Sequence, residues 1–309
     1  MSEQGDNTNV NHHLLGVVLV LNAQLRAYNR AEYEDKKKKS RRYFSIEDIV
    51  MSLRRVIGDD SIKLIFHEEG SIKFFLEGSP ESLKKVEELF ESRELTEVQR
   101  IPVEEVQLVW EESGEVEEET EEKKKYHLIK EIKTQGAENR DLRGTNLKFA
   151  NLSDANLSRA NLTGVDLRAN LSSTNLKFAN LSDANLKFAN LSSANLSGAN
   201  LYGAIMCGTI LSYTNVNHAD LSGVNLNDAN LNNADLSNAK LNHAYLSGAN
   251  FSGANLTDAN LSGANVEQTM FGYNQGISES MRSDLISRGA IFEDFPEDYA
   301  RTRSLVPSS

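Results

Sequence analysis

Histidine, cysteine and carboxylate side chains are the groups in this chain that could ligate a metal ion or perform acid–base and nucleophilic chemistry. The sequence has one cysteine and six histidines: Cys207, His12, His13, His67, His127, His218 and His243. The adjacent His12 and His13 lie near the amino terminus, where they are a weak signal for a metal site. Cys207 has no histidine or other base beside it in the sequence, so we interpret it as an inert thiol.

Motifs of catalytic and nucleotide-binding sites are missing as well. The sequence contains no G-x-x-x-x-G-K-[ST] phosphate loop, no G-x-S-x-G nucleophile elbow and no H-E-x-x-H zinc motif. The acids in the second half of the chain recur because Asp replaces Asn before a repeated Leu, so their periodicity is structural. We therefore predict no catalytic residue, no cofactor site and no metal site, and a protein that is not an enzyme. Any catalytic group would have to lie in the N-terminal part.

A five-residue repeat organises nearly half of the chain. Leu or a close substitute recurs every fifth residue from Leu142 to Phe271, usually with a small residue two places before it. The unit reads A-N-L-x-x, as in residues 155–159. A period of five steps about 140° around an α-helix and makes no stripe there, and on a flat strand it changes face at each repeat. A fixed period over this length therefore predicts a stacked coil, with Leu and the small residue inside.

The residue before each Leu should point outward. There the Asn or Asp side chain can bond neighbouring backbone, and stacked Asn side chains can pair from coil to coil. The pattern from about Arg140 to Tyr273 resembles the pentapeptide-repeat family, particularly its cyanobacterial members. That resemblance implies a right-handed quadrilateral parallel β-helix with four repeats per coil. It would place His218 and His243, whose repeats are five apart, on different faces, so we expect no shared metal site.

The repeat centres occur in two registers. Six centres run from Leu142 to Leu167 and twenty-one from Leu171 to Phe271, twenty-seven in all. Four repeats per coil would give just under seven coils, a rod of roughly 30 Å at a strand-like spacing of ~4.8 Å. The step from Leu167 to Leu171 is one residue short, and we expect a tightened corner from a tolerated deletion.

Composition indicates a reducing compartment and no membrane span. A single cysteine in 309 residues allows no disulfide within the chain, which suits the cytoplasm. The apolar run Leu14–Leu21 is too short to cross a bilayer, and the first residues lack the basic start of a signal peptide. We interpret this run as a buried strand or helix and expect no membrane contact.

The net charge of −12 lies mostly outside the repeats. Residues 137–275 contain ten acids and eight bases, a net charge of −2, which leaves −10 for the rest. The location matters because one group of the family protects DNA gyrase by imitating DNA. A DNA mimic needs a strongly negative rod, since duplex DNA carries one charge per ~1.7 Å of axis. The nearly neutral repeats disfavour mimicry, and we expect no nucleic-acid partner.

The chain divides into five predicted segments: 1–40 of uncertain structure, a small α+β domain at 41–110, a charged and helical linker at 111–133, the β-helix at 134–275, and a capping helix with a loose tail at 276–309. In the α+β domain, an apolar stripe predicts a helix over 46–57, and alternation predicts strands at 61–66, 71–77 and around 106–110. Ser79-Pro80 marks a second helix start. Ser278 and Gly289 bracket the capping helix, and the tail runs from Glu293.

Residues 62–106 resemble small modules joined to effector or repeat domains in bacterial signalling and conflict proteins. The resemblance implies an adaptor domain that recruits partners. Within the linker, Glu119 to Lys123 and Glu121 to Lys125 have the i,i+4 order that supports an exposed helix. We interpret the linker as a solvated spacer. The alternative hypothesis is that its acidic residues make an electrostatic contact with a basic partner.

Two sets of apolar residues should lie on the outside of the coil. Phe149, Phe178 and Phe188 each follow a Lys, two residues past a repeat centre. Ile205 and Ile210 replace the outward Asn in the least regular stretch, and Tyr202 and Tyr213 flank them there. Exposed apolar residues that gather on one surface indicate a protein partner or a homodimer contact. Alternatively, each Phe tucks over neighbouring turns, and the Lys-Phe copies reflect the duplicated run NLKFANLSDANL.

Two function classes remain after these observations. The leading hypothesis is a non-enzymatic protein–protein interaction or scaffold protein, in which the N-terminal domain recruits a partner and the coil is a rigid platform or spacer. The alternative is a DNA-mimicking inhibitor of a nucleic-acid-binding enzyme such as a topoisomerase. An acidic stripe on the folded coil would favour the inhibitor, and scattered mixed charge the scaffold.

Overall fold

A computed structural model of the chain describes residues 13–21, 24–26, 30–35, 40–68, 72–95, 97–98, 101–111 and 120–293. The chain divides into an N-terminal unit, residues 1–126, and a coil unit, residues 127–309. The predictions for residues 1–12, for linker residues 112–119 and for the tail after residue 293 lie outside the described residues. No helix in the described ranges is long and apolar enough to cross a membrane.

The N-terminal unit is built on a five-stranded antiparallel sheet with the strand order β5-β6-β1-β8-β7. Strands β2, β3 and β4 form a second, three-stranded antiparallel sheet. The elements are β1 (His13–Leu21), β2 (Gln24–Arg26), β3 (Arg30–Asp35), β4 (Ser40–Ser45), α1 (Ile46–Ile57), β5 (Lys63–Glu68), β6 (Ile72–Glu77), α2 (Pro80–Glu91), β7 (Glu97–Val98), β8 (Ile101–Glu111) and the beginning of α3 (Glu121–Gln135).

Strand β1 is the middle strand of the larger sheet. It contains the apolar run that the sequence predicts to be buried, and Leu19 is fully buried between partners Phe74 of β6 and Val106 of β8. The predicted segment 1–40 therefore contributes a strand to the same sheet as residues 63–111. A strand with neighbours on both sides needs an apolar run of this kind, because it presents few groups to solvent.

Helices α1 and α2 share one apolar core with the sheet. Leu53 of α1 and Leu83 and Val86 of α2 belong to a buried cluster that includes Phe74. The local sequence sets the helix ends. Gly58 follows α1 in the left-handed region with φ +76°, which suits glycine at a helix carboxyl end. The side chain of Ser79 accepts a hydrogen bond from the Ser82 N–H, 3.2 Å, at the start of α2.

Asp59 ties the end of α1 to the start of α2. Its carboxylate accepts hydrogen bonds from the Ser82 hydroxyl, from the Ser61 hydroxyl at 2.7 Å and from the Ser61 N–H at 2.7 Å. The bond from Ser82 is the largest cause, followed by those from Ser61, and together they lower the pKa of Asp59 to about 2. The ionised carboxylate is thus an acceptor that joins two helices across twenty-three residues.

The repeats of the coil unit stack in parallel with a period of four units. The residue before each central Leu bridges its counterpart twenty residues later, as in Asn180 with Asn200 and Asn200 with Asp220. Twenty residues are four repeats, so four repeats complete one coil. The central residues Leu181 and Leu201 are fully buried, and the small residues two places before them are buried as well. This arrangement puts the two apolar positions of the repeat inside, as predicted.

A full five-residue repeat closes with a β-turn. The carbonyl of the central residue accepts a hydrogen bond from the N–H three residues later, for example Ala184 N–H to Leu181 O at 3.1 Å. The residue two after the centre has a positive φ, +57° at Asp183, which is the requirement of a type II turn. The prediction that Asp recurs because it precedes Leu is wrong for half of the repeat aspartates. These occupy the turn position instead, because Asp tolerates a positive φ: Asp154, Asp183, Asp228 and Asp258.

The outward Asn residues bond the backbone and each other. The Asn180 carbonyl oxygen Oδ1 accepts from the Ser182 N–H at 3.2 Å, and this Asx bond recurs along the coil. Side chains also pair between coils, with Asn200 Nδ2 donating to Asn180 Oδ1 at 3.0 Å. Asn therefore satisfies local donors that a turn would otherwise leave exposed.

The short repeat between Leu167 and Leu171 makes a tightened corner without a change of register. Bridges that span it join residues nineteen apart, as in Asn151 with Asn170, and later bridges return to twenty. Neither Arg168 nor Ala169 has a positive φ, so the residue that is missing is the one at the turn position. Hydrogen bonds to the previous coil continue, with the Phe149 N–H donating to Arg168 O at 2.9 Å.

Helices cover both ends of the coil. The carboxyl-terminal part of α3 lies at the first coil, where Lys133 Nζ donates to Ser153 O at 3.2 Å and Glu131 pairs with Arg140 at 2.9 Å. The last repeat contains β9 (Met270–Phe271), and α4 (Glu279–Ser287) and β10 (Ile291–Phe292) follow it. Ser278 caps α4 and accepts from the Met281 N–H at 3.2 Å. β10 pairs in parallel with β9.

Candidate protein-interaction surface

The coil has four faces, which we number in chain order from the face that contains Leu142. Each corner takes the number of the face that precedes it. Successive coils then align residues of one face in a column about 4.8 Å apart. On each face the residue before the central Leu points outward, and at each corner the two turn residues do. These positions decide what the coil presents to a partner.

Ile205 on face 2 and Ile210 on face 3 replace the outward Asn in consecutive repeats of the fourth coil. Ile205 is 42% exposed, and it bridges Asn185 and Asn225 in the neighbouring coils. In the coil before, Asn185 Oδ1 accepts from the Lys187 N–H at 3.2 Å. An Ile has no such acceptor, so these two repeats give up an Asx bond. Coil stability therefore does not explain the two isoleucines.

Phe188 lies between the columns of these two residues, at corner 2 of the preceding coil. Its N–H donates to Cys207 O at 3.1 Å, which fixes it beneath the turn that links Ile205 to Ile210. The Lys187 ammonium lies 4.9 Å from the centroid of the Phe188 ring. The ring is half-buried, so it contributes apolar surface while a cation covers part of one face.

Two tyrosines extend this surface. Tyr202, 58% exposed, stands at corner 1 three residues before Ile205. Tyr245, 54% exposed, stands on face 2 two coils after Ile205, with Asn225 between them. We call Phe188, Tyr202, Ile205, Ile210 and Tyr245 the lateral patch. Cys207 lies at corner 2 within it, partly exposed and with a free thiol.

The sequence prediction missed Tyr245. The signal that could have found it is the one that identified Ile205, an apolar or aromatic residue in place of the outward Asn. Ile205 and Tyr245 are eight repeats apart, which is two full coils, so they lie on the same face.

The other predicted contact residues lie elsewhere on the coil. Phe149 shares corner 2 with Phe188, two coils earlier, and Arg168 lies between them with its guanidinium 5.3 Å from the Phe149 centroid. Phe178 is at corner 4, diagonally across the coil from corner 2. A Cβ added at Gly198 in the next coil would overlap its ring. Tyr213, the most exposed at 68%, stands at corner 3, beyond Ile210.

Several ion pairs lie on the remaining surface of the coil. Arg143 and Arg168 each bind an Asp two residues earlier, with closest distances of 2.6 Å and 2.8 Å. The side-chain hydrogen bond from Arg143 lowers the pKa of Asp141 to about 2. Burial raises the pKa of Asp166, but the hydrogen bonds from Arg168 lower it by more, so it lies below its ordinary value. The described coil thus carries mixed, locally neutralised charge.

The potential metal ligands and catalytic groups stay apart. His218 lies at corner 4 and His243 at corner 1. Among the residues that the structure describes, no three His, Cys, Asp or Glu side chains are grouped so that they could hold a metal ion. What the surface can do chemically is bury apolar area against another protein.

The sequence of the coil identifies its family. Residues 138–168, 169–208, 189–228 and 229–268 match a family profile described as pentapeptide repeats in 8 copies. Among solved structures, alr5209 from Nostoc Pcc 7120, a pentapeptide repeat protein, is 30% identical over 45% of this chain and 84% of its own, with a TM-score of 0.22. The chain belongs to the pentapeptide-repeat family. Proteins of this family form right-handed β-helices.

Further pentapeptide-repeat proteins and one additional domain also match. Rfr23 from the cyanobacterium Cyanothece 51142 is 44% identical over 28% of this chain, with a TM-score of 0.28, and the chain spans 58% of that protein. QnrB1, a plasmid-mediated fluoroquinolone resistance protein, is 19% identical over 55% of this chain and 84% of QnrB1, with a TM-score of 0.40. Residues 44–108 match a TRADD-like N-terminal domain. No curated protein matches the chain.

Proposed function

We propose that this pentapeptide-repeat protein is a non-enzymatic interaction protein of the cytoplasm. The small α+β domain, which contains the TRADD-like match, recruits one partner. The right-handed quadrilateral β-helix, of just under seven coils, is a rigid platform that presents the lateral patch to a second protein or to another copy of the chain. One observation carries the proposal: two consecutive repeats exchange a bonded Asn for an Ile, exposed at Ile205 and half-buried at Ile210, and aromatic residues surround them.

The physical support comes from what these positions do elsewhere in the coil. Asn at the outward position accepts the N–H two residues later in most repeats, and a typical hydrogen bond contributes about 1 kcal/mol. Ile205 and Ile210 lack that bond, and they present apolar surface instead, Ile205 more of it than the half-buried Ile210. A residue that costs the fold and presents apolar area is favoured where it contacts a partner. Aromatic neighbours such as Tyr202 and Tyr245 are enriched at such contacts.

The test compares the full chain with a double variant, Ile205→Asn/Ile210→Asn, which restores the repeat Asn at both positions. We expect the variant to fold as the original does and to lose association at the patch. Proteins retained by each immobilised chain are identified by mass spectrometry, and the mass of each chain in solution gives self-association. Lys240→Asn, the same restoration on face 1, is the matched control.

The single cysteine supplies a direct readout. Because Cys207 lies within the patch and is partly exposed, a bound partner or second copy should slow its reaction with a maleimide. The control variant should retain that protection and the double variant should lose it. If both variants keep the same retained proteins, solution mass and thiol protection as the original chain, the patch is not an interface.

The charge distribution of the coil disfavours the hypothesis of a DNA-mimicking inhibitor. The coil residues 137–275 carry a net charge of −2, and several acids are neutralised by a neighbouring base, as Asp220 is by Lys240 at 3.4 Å. A rod of roughly 30 Å of duplex would carry about eighteen phosphate charges at one per ~1.7 Å. A topoisomerase retained by the coil in the capture experiment would nevertheless support the inhibitor hypothesis in place of the scaffold.

A further inference from the structure

The carboxyl-terminal end of the coil contains an edge that no strand covers. On face 1, the N–H groups of the central residue and of the turn residue donate to the next coil throughout, as Leu241 does to Asn260 O at 2.8 Å and His243 to Ser262 O at 3.0 Å. Leu261 and Gly263 occupy the same positions in the last coil. Among the described residues, their N–H groups have no acceptor.

The path of the capping segment explains this open edge. The chain leaves the coil on face 4 through Gln275, whose carbonyl accepts from the Leu256 N–H at 2.9 Å. It forms α4, and it returns on face 3 as β10, which adds a short rung to β9. The cap thus supplies a next rung on face 3 but none on face 1. Unpaired N–H groups on a strand edge are a ready template for another strand.

A groove runs along this edge. It is lined by residues 259–264 on the coil side and by Met281, Asp284 and Arg288 on the α4 side, and it encloses about 560 Å³. Cavities of a few hundred Å³ are the size that holds peptides and other small ligands. The groove is formed by backbone with free donors on one wall and by a helix on the other.

Arg288 joins α4 to the coil at one side of the groove. Its Nη1 donates to Ala264 O at 3.0 Å and to Leu261 O at 3.3 Å, and Nη2 pairs with Asp284 at 2.8 Å. The Nε–H is buried and has no partner among the described residues. A buried donor without an acceptor is rare and costs free energy unless something satisfies it. Because protein atoms enclose Arg288 Nε, the Leu261 and Gly263 N–H groups are the two donors without an acceptor that the edge offers.

We propose that this groove, the end groove, binds an extended peptide segment of a partner protein as an additional parallel rung. The main-chain carbonyls of the segment accept the Leu261 and Gly263 N–H groups, as residues 260 and 262 accept those of the previous coil. A main-chain N–H of the segment donates to Ala259 O, as the Asn260 N–H does to Ala239 O at 3.0 Å.

The occupant follows from the chemistry of the edge. An extended main chain is the ligand whose oxygens match donors two residues apart on a strand, whereas a single anion can accept from only one of them. The end groove lies on face 1 of the last coil, whereas the lateral patch lies on faces 2 and 3 and corners 1 and 2 of earlier coils, so the two inferences stand or fall independently.

The first measurement is backbone hydrogen exchange of the full chain. The Leu261 and Gly263 amides should exchange at least a hundredfold faster than those of Leu241 and His243, one coil earlier. The second is titration with acetyl-Ala-Asn-Leu-Ser-Gly-Ala-amide, the sequence of residues 259–264. We expect saturable binding that protects the Leu261 and Gly263 amides, and no protection by the same peptide with an N-methyl group on its Asn nitrogen.

Matched variants localise the binding. Met281→Trp fills the groove and should weaken peptide binding at least tenfold. Ile286→Trp, on an exposed position of α4 that does not line the groove, should bind the peptide as the original chain does. The variant Ile205→Asn/Ile210→Asn should also bind it unchanged. Equal binding by Met281→Trp and the original chain, or protection by the N-methylated peptide, would overturn the proposal. Self-association abolished by Met281→Trp would identify a second copy as the occupant instead.

Discussion

Replacing Gly198 with Ala should show whether the Phe178 ring lies flat against the next coil. Gly198 has φ +65° and follows Phe178 by one coil at corner 4. An added Cβ would overlap two ring carbons, so the ring would have to leave its position. Gly223, with φ +66°, has no atom within 4 Å of an added Cβ. Gly223→Ala is therefore the matched control for the backbone effect alone.

The expected magnitudes separate the two effects. A left-handed conformation costs a non-glycine residue about 1–2 kcal/mol, and the lower entropy of the unfolded chain returns about 0.4–1 kcal/mol. Gly223→Ala should thus destabilise the coil by about 0.5–1 kcal/mol. Gly198→Ala should cost about 1 kcal/mol more. The Phe178 ring would lose its contact with residue 198, and it would leave the position in which the Arg159 guanidinium lies 5.8 Å from its centroid.

The assay is a double-mutant cycle with Phe178→Ser, read by hydrogen exchange of the coil amides. Ser suits this position, because Ser173 and Ser193 have the same positive φ at equivalent turns. In the Phe178→Ser background, the cost of Gly198→Ala should fall to that of Gly223→Ala, a coupling of about 1 kcal/mol. Equal costs for the two Gly→Ala changes in the original chain would refute the placement of the ring against Gly198.

Three further predictions concern the N-terminal unit, the buried threonines and the short corner. Asp59→Asn should remove an acid-sensitive step in the unfolding of the N-terminal unit. Because the pKa of Asp59 is lowered to about 2, its contribution to the stability of the fold is present above its ordinary pKa and is lost as pH falls from about 4 to about 2. The fluorescence of Trp110 in β8 should report that unfolding in the original chain and less of it in the variant. Thr209→Val should destabilise the coil by about 1 kcal/mol in urea unfolding, because its buried hydroxyl lies within hydrogen-bond distance of two carbonyl oxygens, Met206 O at 2.6 Å and Leu186 O at 3.0 Å, and has one hydrogen to donate. Insertion of Gly after Arg168 should leave the exchange protection of later coils unchanged, since register already continues across this corner; loss of protection beyond it would contradict that explanation.

The sequence predicted what a local period can determine. The coil, its inward Leu and the capping bonds of Ser79 and Ser278 follow from residues within five positions of each other. The placement of β1 could not be predicted in the same way. Its partners β6 and β8 are about fifty and ninety residues away in the chain, and a short apolar run is equally compatible with a buried helix.

The candidate surface was predicted in part for the same reason. Phe188, Tyr202, Ile205 and Ile210 lie within twenty-three residues of one another, so one irregular stretch indicated most of the patch. Tyr245 belongs to it only because residues forty apart share a face. The end groove depends on where α4 leaves and returns, and no pattern in residues 259–264 distinguishes that rung from those before it.

The four-repeat coil has a consequence for how such a chain evolves. The duplicated run begins at Asn146 and again at Asn175, six repeats later, which is one and a half coils. The copy therefore rotated by half a turn: Phe149 stands at corner 2 and its duplicate Phe178 at the opposite corner. Because every face buries the same Leu and small residue, such a shift leaves the interior unchanged. Only a duplication of whole coils extends an existing surface. Any other duplication places the copied side chains on a different face, where they form a new surface on which selection can act.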